Sequence, residues 1–100
     1  MNDNAEPRKW AEGLPDKAKE IQQAGIGALG DNVSNEAKGA IQTQATVIAI
    51  AIPQDRDRIE KIFDTLKEQG GLSDRQAEAV FQAMVNKKVE IDGRSQGRGK

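Results

Sequence analysis

The chain has 100 residues, of which 36% are apolar and 31% are charged, and its 15 basic and 16 acidic side chains give a net charge of −1. This length predicts one small domain, and a chain so nearly neutral has no overall field that would draw it onto DNA or a membrane. It contains no histidine, cysteine or tyrosine, which excludes disulfides, thiolate metal sites and the commonest general base.

The composition also predicts location and cofactor use. No signal-peptide pattern opens the sequence, and no apolar run reaches the roughly 20 residues of a membrane span. We therefore expect a cytoplasmic protein that does not enter a membrane. Because histidine and cysteine are absent, we expect no metal and no cofactor, and any catalysis would depend on carboxylates, lysines or hydroxyls.

The N-terminal part of the chain predicts a short helical turn followed by a longer helix. Asn4 caps the turn, which carries the single tryptophan, Trp10, and ends at Gly13. Pro15 suits the first position of the next helix, because its missing N–H would be unpaired there in any case. Gly30 ends that helix as its C-terminal cap.

One face of this longer helix carries small or aliphatic residues at helical spacing, which predicts a close crossing with another helix. These residues are Ala18, Ile21, Gly25, Ala28 and Leu29. Residues 25–30 also match the GxGxxG dinucleotide fingerprint. That fingerprint follows a strand and opens a helix, whereas this match follows a helix and leads into a turn, so we interpret it as coincidental.

The segment Glu36–Ile52 is the predicted hub of the core, because its C-terminal part carries no charge in an otherwise highly charged chain. Its apolar residues recur at helical spacing, but within 45–52 isoleucine also alternates with alanine, as in a strand. Both interpretations of 45–52 stay open. A helix is favoured because alanine is the best helix former. Ser34 or Asn35 caps its start, and Pro53 ends it.

Two further helices follow, joined by a glycine turn. Pro53 opens the first, and Gly70–Gly71 ends it. Ser73 caps the second, and Gln76 completes a capping box. Each helix carries an apolar stripe at the i, i+3, i+4 and i+7 positions. The stripes consist of Ile59, Ile62, Phe63 and Leu66 in the first helix and of Ala77, Val80, Phe81 and Met84 in the second.

The predicted fold is all-α: a compact bundle of four main helices, with a short N-terminal helical turn and a flexible C-terminal tail. Residues 1–92 form the single helical domain, in which Val89 and Ile91 add a short extended contact. Residues 93–100 are basic, glycine-rich and without apolar side chains, which predicts a disordered tail. The expected core consists of Leu14, Ile21, Leu29, Ile41, Ile48, Ile52, Ile59, Ile62, Phe63, Leu66, Leu72, Val80, Phe81 and Met84.

A small nucleic-acid-binding regulator is the alternative function that the sequence leaves open. The last helix, after its glycine turn, is compatible with half of a helix-turn-helix that presents Arg75 and Gln76 or Gln82 to bases. An ordinary capped amphipathic helix is favoured, because the same segment carries acidic residues. The basic tail 93–100 would neutralise phosphates, but it lacks the aromatic side chains of single-strand platforms.

The favoured function is binding to another protein without catalysis. The sequence predicts no ligand cluster, no nucleophile–base pair and no cofactor loop. Asp55 and Asp57 are not predicted to bind a metal ion together, because residues two apart on a helix face different ways. Acidic residues on the last two helices would meet a basic, DNA-handling surface of the partner, unless they only solubilise the domain. With Trp10, a residue type common in hot spots, the candidates are Asp55, Asp57, Asp64, Glu68, Asp74 and Glu78.

With 100 residues, no cysteine, no catalytic groups and a balanced, highly charged surface, the chain resembles the small phage-encoded anti-CRISPR proteins. The resemblance implies a stoichiometric inhibitor that binds a CRISPR surveillance complex in the host cytoplasm and blocks recognition of target DNA, with a type I-F complex as the expected target. It concerns size and character rather than a motif, so it assigns no functional position.

Overall fold

The structure is a computed structural model that describes the backbone of residues 5–30 and 32–98 and the side chains of residues 15–30 and 32–93. Its four helices are α1 (Ala5–Gly27), α2 (Asn35–Ile50), α3 (Arg56–Glu68) and α4 (Asp74–Arg98). No strand occurs in these ranges. The predicted all-α bundle of four helices is therefore confirmed.

Helix α1 corrects the prediction for the N-terminal part of the chain. The predicted turn and the predicted second helix are one continuous helix, with Gly13 and Pro15 in its interior. A proline inside a helix removes one backbone hydrogen bond and costs about 3 kcal/mol. The helix continues because it packs against both α2 and α4, and tertiary packing of this kind outweighs local propensity. Helix α1 ends at Gly27, three residues before the predicted cap, and Gly30 has φ +88°, the left-handed conformation that glycine adopts beyond a helix end.

Helix α2 confirms the predicted hub and settles its ambiguous end. The Ser34 hydroxyl accepts a hydrogen bond of 3.1 Å from the Ala37 N–H, as an N-cap does. The helix ends at Ile50, and Ala51 is extended. Within 45–52, all but the last two residues are thus helical, and the predicted end at Ile52 is wrong. The residue before a proline avoids the helical region, which ends α2 ahead of Pro53.

The boundaries of the third helix also differ from the prediction. Pro53 does not open α3. It is buried in the connection between α2 and α3, and Asp55 is the N-cap instead. The turn after α3 is as predicted: Gly71 has φ +69°, a conformation that suits glycine. Ser73 and Gln76 then form the predicted capping box. The Ser73 N–H donates to Gln76 Oε1 at 3.0 Å, and the Gln76 N–H donates to the Ser73 hydroxyl at 3.1 Å.

Helix α4 is longer than predicted, since it includes Val89 and Ile91 and runs on to Arg98. Ile91 is buried and Val89 is 56% exposed, which is the pattern of a helix rather than of the predicted extended contact. The side chains of 94–98, and all of residues 99 and 100, lie outside the described part. The predicted disorder of the tail 93–100 therefore stays a prediction.

The core lies where α2 meets α1 and α4. Seven of the predicted core residues are buried there, namely Ile21, Ile41, Ile48, Ile62, Leu66, Val80 and Met84. Six others are only half-buried, namely Leu29, Ile52, Ile59, Phe63, Leu72 and Phe81, while the side chain of Leu14 lies outside the described part. The expected core did not include the buried alanines of α2, nor Ile91, nor Lys88, which is 7% exposed and bound to Asp92 at 3.1 Å.

Helices α1, α2 and α4 form a scaffold, and α3 lies outside it. Helix α1 packs against α2 and α4, whereas α3 packs against α2 and α4 but does not touch α1 within the described ranges. The Phe63 and Phe81 rings, 5.0 Å apart, join α3 to α4. None of the four helices, as far as they are described, has an apolar stretch long enough to cross a membrane.

Candidate functional site

The last turns of α2 expose two large aliphatic side chains. Val47 is 45% exposed and Ile50 is 53% exposed, although Ile48 and Ala49 between them are buried. A helix buries one stripe, so an uninterrupted apolar run must also place some residues on the outer face. Val47 and Ile50 are three residues apart and therefore neighbours on that face. Together they give α2 an apolar edge that no other described element covers.

A groove runs beside this edge, between the end of α2 and the outward side of α3. It encloses about 360 Å³, and we call it the α2–α3 groove. Its lining is mostly apolar on the α2 side and on its floor, and two basic side chains stand on the α3 side. The lining residues are Gln44, Val47, Ile50, Ala51, Pro53, Arg58, Lys61, Ile62 and Thr65.

Gln44 is the one nearly buried amide in this lining. It is 7% exposed, and it makes no hydrogen bond to any residue that the structure describes. No fully buried side-chain nitrogen or oxygen in the described part lacks a partner, so the Gln44 amide must retain contact with solvent. The groove that it lines is where solvent reaches it. Solvent therefore satisfies this amide in the free protein, and an occupant that displaces the solvent must replace its hydrogen bonds or leave the amide unpaired at a cost of about 1–3 kcal/mol.

The charges at the groove are all of one sign. Arg58 and Lys61 line it, and no carboxylate does. Arg58 contacts Asp55 at 3.6 Å, but both side chains are more than 70% exposed, and such surface pairs contribute little. The groove therefore combines apolar contact area with a positive rim, although the whole chain is slightly negative.

Three of the predicted site residues meet elsewhere, in an acidic depression of about 380 Å³ between α3 and α4. Asp64, Asp74 and Glu78 line it together with Glu60, Phe63 and Lys67. Lys67 Nζ lies 3.1 Å from Asp74 Oδ1. The hydrogen bond that Lys67 donates to the Asp74 carboxylate, together with the charge of Asp74, raises the pKa of Lys67. Desolvation partly offsets this rise, and the charges of Asp64 and Glu68 add smaller contributions to it.

The other predicted site residues are not part of this cluster. Asp55 and Asp57 are exposed at the start of α3, and Glu68 is exposed at its end. The side chain of Trp10 lies outside the described part. The seven candidates thus do not form one surface. Sequence reasoning missed Val47 and Ile50, and the available signal was the length of the uncharged run in α2, which exceeds what one buried face requires.

Of the three residues proposed for base reading, Gln76 and Gln82 make side-chain hydrogen bonds within the protein, whereas Arg75 is exposed. Gln76 Oε1 accepts the Ser73 N–H in the capping box. The Gln82 amide lies 3.5 Å from the Asn86 oxygen. In the described side chains, no group of three acidic residues is arranged to hold a metal ion.

The comparisons with known proteins give no relative for this chain. No protein-family model matches it, and neither the curated proteins nor the solved structures include a significant match. Its function is therefore inferred from the geometry of the two surfaces described above.

Proposed function

We propose that the protein is a non-enzymatic, protein-binding inhibitor whose principal contact surface is the α2–α3 groove. The observation that carries this proposal is the exposed pair Val47 and Ile50 beside the unbonded amide of Gln44. Exposed aliphatic side chains around a concave surface with one convergent polar group are typical of a binding site. They offer apolar contact area and a point of specificity, and neither depends on catalytic chemistry.

The concrete partner that we propose is a host nucleoprotein complex, namely a type I-F CRISPR surveillance complex in the bacterial cytoplasm. Its support is the resemblance in size, charge balance and lack of catalytic groups to phage-encoded inhibitors. The acidic depression adds a second surface on the opposite side of α3, suited to a basic, DNA-handling region of such a complex.

An interference assay tests the proposal. The protein is expressed in bacteria that carry a type I-F system, and plaque formation by a targeted phage is counted. We expect the unaltered protein to restore plaques and Val47→Asp to abolish the restoration, because a buried carboxylate in an apolar contact is unfavourable. Val89→Asp is the matched control, since Val89 is 56% exposed, against 45% for Val47, and lies on α4 outside the groove.

Two results would contradict the proposal. Failure of the unaltered protein to restore plaques would exclude the named complex, and equal activity of Val47→Asp and Val89→Asp would exclude the groove. DNA binding that weakens with salt and is lost on deletion of 94–100 would instead favour a nucleic-acid-binding regulator. Circular dichroism of each variant checks that the helices are retained.

A further inference from the structure

The lining of the α2–α3 groove indicates what kind of segment binds in it. We propose that the occupant is an acidic, amphipathic α-helix of a partner protein, with its apolar face on Val47 and Ile50. This inference rests on the proposed function, because it concerns the same groove, and it goes further by naming the chemistry of the bound segment. It follows from shape, from charge and from Gln44.

The shape of the groove favours a helix. Its walls are two helices, α2 and α3, and helices use their backbone N–H and C=O groups internally. An extended segment would find no sheet edge there to pair with its own backbone groups, whereas a helix satisfies them itself. Val47 and Ile50 are one turn apart, so they match apolar residues at one-turn spacing on the occupant.

The charge of the groove favours an acidic occupant. Arg58 and Lys61 lie on its rim, and the lining contains no carboxylate to neutralise them. The nearest ion pair, between Arg58 and Asp55, is exposed and can be exchanged for a carboxylate of the occupant. Two copies of this chain that met groove to groove would bring the same two cations together without countercharge, which disfavours symmetric self-association through the groove.

Gln44 supplies a polar contact within the apolar surface. Its amide has both a donor and an acceptor, and neither is used by a described residue. An occupant that places one polar side chain among its apolar residues would satisfy this amide. An occupant with a wholly apolar face would bury it without a partner. The register of the bound helix is therefore fixed by one residue.

Titration with two synthetic peptides, followed by NMR, tests the inference. Both are helical, about 16 residues long, with leucines at one-turn spacing and one central asparagine on the leucine face. One carries glutamates at the remaining positions, and the other carries lysines there. The signals observed are the Gln44 side-chain amide and the Val47 and Ile50 methyl groups of the full chain.

We expect the acidic peptide to shift these three sets of signals and to bind at least about tenfold more tightly than the basic one. Its affinity should fall when salt is raised from about 50 to about 300 mM. The double variant R58E/K61E should remove the preference, whereas R56E/R75E should retain it. The control changes the net charge equally, at exposed arginines outside the groove.

Several outcomes would overturn the inference. They are binding of neither peptide, equal or tighter binding of the basic peptide, and shifts that map away from the groove. Shifts of the same signals on concentrating the protein alone would indicate a second copy. Shifts on adding vesicles of phosphatidylcholine and phosphatidylglycerol would indicate a lipid surface.

The two proposals can fail separately. If neither peptide binds but Val47→Asp still abolishes inhibition, the groove remains the contact surface and its occupant is of another kind. If the acidic peptide binds as expected but Val47→Asp inhibits normally, the proposed function is wrong.

Discussion

Gly25 of α1 lies so close to Ile41 of α2 that a side chain at position 25 would collide with it. A Cβ atom on Gly25 would be 3.0 Å from Ile41 Cγ2, and Met84 and Val80 of α4 close the other side at 3.0 and 3.2 Å. Ile41 is β-branched, stiff and fully buried, so it has little room to move aside. The three scaffold helices therefore meet at this glycine.

Gly25→Ala is expected to lower the free energy of unfolding by about 1–2 kcal/mol, because the cost of overpacking this crossing exceeds the gain of about 0.5–1 kcal/mol that alanine gives in a helix. Gly39→Ala is the matched control, since Gly39 lies in α2 and a Cβ there would meet nothing within 4 Å. The control should raise the free energy of unfolding by about 0.5–1 kcal/mol, as alanine favours the helix. Urea denaturation followed by circular dichroism measures both. Stabilisation by Gly25→Ala would show that the crossing is not tight.

The ion pair of Lys88 and Asp92 provides a second prediction. Lys88 is nearly buried on the core side of α4, and Asp92 one turn later holds its Nζ at 3.1 Å. Asp92→Asn should lower the free energy of unfolding by about 1–3 kcal/mol, because it leaves the buried cation without a charged partner. Lys88→Met should change it by less than about 1 kcal/mol, since it removes the charge and keeps most of the volume. A larger loss for Lys88→Met than for Asp92→Asn, measured by thermal unfolding, would contradict this account.

Gln44 is predicted to lower the stability of the fold slightly and to contribute to binding of the acidic peptide. Gln44→Leu replaces an amide that contacts solvent but bonds to no described residue, so it should raise the free energy of unfolding by less than about 1 kcal/mol. The same variant should weaken binding of the acidic peptide, because the asparagine of that peptide then lacks a partner. Gln42→Leu is the control, as Gln42 is exposed on α2 outside the groove. Destabilisation by Gln44→Leu alone would mean that its amide is satisfied within the protein.

The Lys67–Asp74 pair predicts a pH dependence. The pKa of Lys67 is higher in the folded protein than in the unfolded chain. Lys67 therefore stabilises the fold below the ordinary lysine pKa of about 10.4, and this contribution is lost as pH rises through the higher folded value. Asp74→Asn should lower the pKa of Lys67, and Asp64→Asn should lower it less, because Asp74 supplies the hydrogen bond and the nearest charge. NMR titration of the Lys67 side chain measures both. An equal or larger effect of Asp64→Asn would contradict this assignment.

The sequence predicted helix content better than helix ends. The caps at Ser34 and Ser73 were correct, because each depends on a side chain bonding to a backbone N–H three residues away. Gly13 and Pro15 were read as boundaries, although α1 continues through them. The continuation depends on packing against α2 and α4, which local sequence does not specify.

The groove was harder to predict than the core. Ile48 and Ile50 have the same chemical character and differ only in which side of α2 they occupy. Deciding which isoleucine is covered requires the position of α3, and that depends on the unpredicted connection around Pro53. The acidic candidates were found from charge alone, so the sequence did not separate Asp64, Asp74 and Glu78 from Asp55, Asp57 and Glu68.

The position of α3 outside the α1–α2–α4 scaffold has a dynamic consequence. Only Ile62 and Leu66 of α3 are buried, compared with seven residues of α2, so detaching α3 exposes little apolar surface. We expect its amide hydrogens to exchange with solvent faster than those of α2, through partial opening rather than global unfolding. Because α3 forms one wall of the α2–α3 groove, its opening would change the width of that groove while α1, α2 and α4 stay packed together. A bound helix would then slow exchange in α3 more than anywhere else in the chain.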